Sequence, residues 1–80
     1  MQLEKRGEIM VDIDMLKEKI KESGMTITAI SKKTGILRET IYNRLNGIGE
    51  FTASEIVRLT AVLRLTKSER DQIFLSKKLN

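Results

Sequence analysis

The sequence predicts an all-α fold of five short helices, and three observations carry that prediction. The chain contains no proline, so the strongest helix breaker is absent. Leucine and isoleucine supply most of the apolar side chains and recur at spacings of three and four, the period of a helix face rather than of a strand. Two segments, Thr52-Ala53-Ser54-Glu55 and Thr66-Lys67-Ser68-Glu69, have the form of a capping box. In that device a hydroxyl and a carboxylate satisfy each other's backbone donors at a helix start.

Eighty residues allow one small core, which is assigned to residues 12–80, with residues 1–11 read as an N-terminal arm or translated leader. Met1 to Ile9 are polar and lack helical period. Read back into codons, Lys5-Arg6-Gly7-Glu8 fits a purine-rich run resembling a bacterial ribosome-binding site, with Met10 as the start that follows. The other reading is an ordinary flexible arm, or one that adds a short strand. The first helix is expected over about Ile13 to Ser23, capped by Asp12 or Asp14 and stopped at Gly24. Ile13, Leu16 and Ile20 share its inner face. The second runs from Ile27 to Thr34 behind Thr26 as N-cap, with Ile30 inward and Gly35 ending it. The third covers about Arg38 to Leu45, held by Ile41 and stopped by Asn46-Gly47. The fourth follows Thr52, with Phe51 and Ile56 at hydrophobic-staple positions and Ile56, Leu59 and Leu63 as its inner stripe. The fifth follows Thr66 and carries Ile73, Phe74 and Leu79. Met15 and Met25 suit gaps in the core.

Composition removes several function classes. The chain has no cysteine and no histidine, so disulfide scaffolds, zinc fingers and His-based catalysis have no residues to use. An acid–base site would need paired carboxylates or a perturbed lysine; Asp12 and Asp14 are near each other, but helix capping accounts for them. The five glycines are scattered at turns rather than gathered into a phosphate-cradling loop. The expectation is a non-enzyme without cofactor or metal. No apolar run approaches the roughly 20 residues a bilayer span requires, and no signal peptide is expected.

Net charge is +4. From Lys17 to Arg44 seven basic residues face three acidic ones, so this stretch carries an excess equal to that of the whole chain. Phosphate attraction would call for such a concentration.

The same stretch contains, from Met25 to Gly47, M-T-I-T-A-I-S-K-K-T-G-I-L-R-E-T-I-Y-N-R-L-N-G, which has the spacing of a helix-turn-helix. Ser31 supplies a small side chain where two helices cross closely. Gly35 tolerates the positive φ of a tight turn. Ile41 holds the second helix of the pair against the first.

With Thr26, Ile30, Ser31, Gly35, Ile36, Thr40-Ile41 and Asn46-Gly47 in this order, the chain resembles the phage Cro/CI repressor family, the lambda-repressor-like DNA-binding domain, over roughly Asp12 to Leu75. The resemblance implies a sequence-specific regulator of phage or prophage type whose third helix enters the major groove of an operator. It implies work in the cytoplasm of a bacterial host, nucleoid-associated when DNA-bound. Carried onto this chain, the base-reading positions are Arg38, suited to guanine O6 and N7, Asn43, suited to adenine N6 and N7, and Glu39, suited to cytosine N4. Backbone contacts fall to Thr26, Lys32, Lys33, Thr40, Tyr42, Arg44 and Asn46. The bland reading of Lys32 and Lys33 is a solvated face, and Tyr42 can equally pack against the fourth helix or a partner.

Four positions depart from the family's pattern. Ile27 stands where a phosphate-binding Gln is common. Leu37 replaces a capping Ser or Thr and could touch a thymine methyl instead. Arg44 takes an apolar position, with Leu45 packing in its stead. Glu50 follows the Asn-Gly stop where a basic residue is common. A single module makes few base contacts, so a homodimer on a pseudo-palindrome is expected, with Ile73, Phe74, Leu79 and the outer face of the fifth helix as its surface. The alternative is a protein-binding module such as an antirepressor or antitoxin-like partner.

Overall fold

The computed structural model describes residues 9–77. They form five helices: α1 (Ile13–Ser23), α2 (Ile27–Thr34), α3 (Arg38–Leu45), α4 (Ala53–Leu63) and α5 (Lys67–Phe74). Their starts obey local chemistry. Asp12 caps α1, its carboxylate accepting from the Met15 N–H at 3.0 Å, which decides between the two candidate aspartates. Thr26 caps α2 through the Ala29 N–H. Both capping boxes form: Thr52 and Glu55 exchange bonds of 3.0 and 3.1 Å, and Thr66 and Glu69 do the same at 2.9 and 3.0 Å. An antiparallel pair of two-residue strands, β1 (Ile9–Met10) and β2 (Ser76–Lys77), joins the two ends of the domain. The readings of Met1–Ile9 otherwise fall outside the described residues, as do Lys78 and Leu79. No described helix is long and apolar enough to cross a membrane.

The core gathers one or two side chains from each helix: Leu16, Ile30, Ile41, Leu59, Ile73 and Phe74, with Ile36 and Leu65 from the connections. Met15, Met25, Phe51, Ile56 and Leu63 pack around them. Helix α2 lies against both α3 and α4, so Ile30 sits where the three meet.

Two residues of the expected dimer surface lie inside the core instead. Ile73 is 0% exposed and Phe74 2%, so neither can meet a partner. Consecutive helical residues point about 100° apart, so two neighbours can share one broad apolar stripe. In the fold both are buried in the core. Asp12 donates its N–H to the Ile73 carbonyl at 2.7 Å, bringing the chain entering α1 against α5. The Phe51 ring meets Phe74 edge-on at 5.2 Å. The outer face of α5 stays open at Lys67, Ser68, Gln72 and Leu75.

Two features of the frame carry expected outcomes. The Thr60 hydroxyl in α4 is buried without a hydrogen-bond partner among the described residues. Thr60→Val removes that hydroxyl while keeping the shape, so it should stabilise the domain by about 1 kcal/mol and raise its melting temperature by roughly 4–8 °C. A lower melting point would show that the hydroxyl is satisfied after all.

Lys19 of α1 donates to Glu69 of α5 at 2.6 Å and lies 3.4 Å from Glu22. The hydrogen bond from Lys19, helped by the Thr66 N–H, holds the Glu69 carboxyl below its usual range. The same bond raises the Lys19 ammonium. The carboxylate's share of stability is therefore present at neutral pH and lost as pH falls through the lowered Glu69 value, while the lysine's share is lost only in strong alkali. Compared with Lys19→Met, the wild type should melt higher around neutral pH, and the gap should shrink as pH falls below the usual carboxylate range and through the lowered Glu69 value. A gap independent of pH would remove the ion pair as its cause.

Candidate nucleic-acid interface

The turn between α2 and α3 fixes how α3 is presented, and hydroxyls build it. Gly35 adopts φ +79° and donates its N–H to the Ser31 carbonyl at 2.8 Å. The Ser31 hydroxyl donates to the Ile36 carbonyl at 2.6 Å. Ser31 is thus more than a small residue at a helix crossing; it ties α2 to the chain entering α3. Thr34, buried, donates its hydroxyl to the Ile30 carbonyl at 2.8 Å and accepts from the Ile36 N–H at 3.1 Å. Arg58 reaches across from α4 to the Thr34 carbonyl at 3.3 Å. Sequence reasoning missed Thr34 and Arg58. A threonine just before a turn glycine is a signal for the first, whereas nothing local points to the second.

Buried Ile41 and half-buried Leu45 anchor α3. With Ile41 inward, the helical period of about 100° per residue turns Glu39 and Asn43 to the opposite side, flanked by Thr40 and Tyr42. Arg38, Glu39 and Tyr42 are exposed, and Thr40 and Asn43 are half-buried. Glu39 and Asn43 therefore lie on the side of α3 away from the core, with Thr40 and Tyr42 at its margins, while Arg38, on the Ile41 side by the same period, is exposed because it is the first residue of the helix. Lys32 and Lys33 are exposed in the last turn of α2. Thr26 is exposed at the start of α2, its hydroxyl oxygen accepting the capping bond while its O–H can still donate. Asn46 is exposed at the end of α3, where its N–H closes the helix on the Tyr42 and Asn43 carbonyls. Ile27, one of the departures from the family's pattern, packs against the core.

Arg44 has a different setting from the other cations. Its guanidinium forks onto the Glu55 carboxylate, Nε to Oε1 at 3.3 Å and Nη2 to Oε2 at 3.4 Å, and Nη1 donates to the Ile48 carbonyl. The two side chains are 18% and 16% exposed. Glu55 also accepts the Thr52 N–H of its capping box, so one carboxylate starts α4 and holds α3. The guanidinium lies over Gly49, which has φ +77°, and a β-carbon at that position would collide with it. Phosphate contact by Arg44 would have to compete with this pair. Glu55 and Gly49 carried no signal for this role in the sequence, because each already had a local explanation.

One helix of the motif thus lacks a side-chain cap. Leu37 begins α3 with no side-chain hydrogen bond to the first turn and stands exposed beside Arg38. As a whole, the arrangement is a rigid two-helix unit offering a polar helix face with cations on the neighbouring helix. It is suited to a polyanion with hydrogen-bonding edges.

A family model described as helix-turn-helix matches residues 16–69, which takes in α2, the turn, α3 and α4. Comparison with curated proteins gave no match, and comparison with solved structures gave none either.

Proposed function

The chain belongs to the helix-turn-helix family, of the Cro/CI type and lambda-repressor-like fold whose members are DNA-binding regulators, and from that premise we propose that it binds a specific double-stranded operator as a regulator of phage or prophage type. The observation that carries the reading is the presentation of α3: buried Ile41 turns Glu39 and Asn43 away from the core, and Arg38 is exposed at the first residue of the helix. In this reading α3 enters the major groove. Arg38 pairs with guanine, Asn43 with adenine, and Glu39 accepts from cytosine N4. Thr26, Lys32, Lys33, Thr40, Tyr42 and Asn46 meet the sugar-phosphate backbone and set the register. Arg44 contributes through its pair with Glu55, by holding α3 to α4. Two copies bind a pseudo-palindrome with half-sites about one helical turn apart.

The test is selection from randomised duplex DNA at low salt. A repeated half-site should be recovered, and affinity for it should fall steeply as salt rises, through counterion release. Arg38→Ala should cost about 1–3 kcal/mol on the recovered site and relax one base position. Equal loss on every sequence would remove Arg38 as a reader.

A second reading, a protein-binding module such as an antirepressor or antitoxin-like partner, draws on the exposed apolar side chains of Leu37 and Ile48. Absence of enrichment from a folded sample would favour it.

A further inference from the structure

We propose that Leu37 is a specificity residue that reads the 5-methyl group of a thymine in the major groove. The inference rests on the DNA-binding reading above and adds a contact of a different chemistry to its hydrogen-bonding readers.

Leu37 breaks two local rules at one position. It is the N-cap of α3, where Ser, Thr, Asp or Asn would satisfy a free backbone N–H and leucine cannot. The residue is also 71% exposed, the largest value among the exposed large hydrophobic residues. Neither departure serves the fold: the core beside it is filled by Ile36, which is buried, and Ile41 closes the first turn by donating its N–H to the Leu37 carbonyl at 3.0 Å. Local rules broken without structural gain are expected where a residue serves binding.

The chemistry of the surroundings selects the occupant. Leu37 leads into Arg38 and Glu39, so whatever covers it lies at the N-terminal end of α3, the end that meets base edges when such a helix docks. The floor of the major groove is polar except for one group, the C5 methyl of thymine. An isobutyl side chain held in extended backbone geometry, φ −60° and ψ 142°, has no hydrogen bond to offer, and on the groove floor that methyl is the apolar group it can cover.

Two comparisons test the proposal on the duplex recovered by selection. Each thymine is replaced in turn by deoxyuridine, which deletes the methyl and keeps every hydrogen-bonding group. Wild type should lose about fourfold in affinity at one thymine per half-site, the worth of one buried methyl. Leu37→Ser supplies the missing cap, so it should melt above wild type yet bind the thymine duplex more weakly, with no response to deoxyuridine. Stability and affinity would then move in opposite directions, which a merely structural Leu37 would not produce. If no deoxyuridine is sensed while the selected site is still preferred over a scrambled duplex, the methyl contact is overturned and DNA reading stands. If Leu37→Ser loses affinity but keeps the wild-type response to deoxyuridine, the contact is also overturned. If the folded protein prefers no duplex at all, both the contact and the reading beneath it fall.

Discussion

Ile30→Ala should cost the domain about 2–5 kcal/mol, the range for emptying a fully buried aliphatic site. Ile30 is 0% exposed and lies in α2 where α3 and α4 pack against it. A chain of this size has roughly 4–12 kcal/mol of stability in total, so the variant should stand near its threshold. Urea denaturation of the two proteins would measure the difference directly. The loss bears on function because α2 is the support of α3: the Thr34 hydroxyl joins the Ile30 carbonyl to the Ile36 N–H, and loosening Ile30 loosens the turn. DNA binding by Ile30→Ala should be weak at temperatures where the wild type is still folded and should recover on cooling toward the temperature of greatest stability. A cost below about 1 kcal/mol would mean that the neighbouring helices close over the vacancy, and that the three-helix contact is less confining than the burial implies.

Glu55→Ala should cost roughly 2–4 kcal/mol, because it removes two supports at once. It takes the carboxylate partner from a mostly buried Arg44 guanidinium, leaving a desolvated charge uncompensated. It also takes the acceptor from the Thr52 N–H at the start of α4. Glu55→Gln separates the two contributions, since glutamine can still complete a capping box but brings no charge to Arg44. It should cost clearly less than alanine.

The same variant asks what Arg44 does on DNA. If Arg44 serves by fastening α3 to α4, Glu55→Gln should weaken binding and leave the salt dependence as it was. If Arg44 instead swings to a phosphate, freeing it should tighten binding and steepen the slope of log affinity against log salt by about 0.9 for each copy bound. The fork geometry, the bond to Ile48 and the guanidinium seated over Gly49 lead us to expect the first result.

Four of the five helix starts were legible in the sequence because caps act over three or four residues. Asp12, Thr26, Thr52 and Thr66 each find their partner three residues on, so the information needed to start a helix lies beside the start. The motif was legible for the same reason: Ser31, Gly35 and Ile41 are close enough in the chain for spacing alone to define a turn between two helices. The polar face of α3 followed from Ile41 and the helical period.

What only the tertiary structure decided involves partners distant in the chain. Ile73 and Phe74 are both buried in a core built from all five helices, with the Phe51 ring edge-on to Phe74, and periodicity on one helix cannot report what lies opposite it. Arg44 reads as a free cation until Glu55, eleven residues later, is folded beside it. Arg58 finds the Thr34 carbonyl twenty-four residues away, and the Thr60 hydroxyl finds no hydrogen-bond partner among the described residues. A local pattern specifies which side chains share a face. Which faces meet, and which charges are thereby spent inside the protein rather than left for DNA, depends on the relative placement of whole helices.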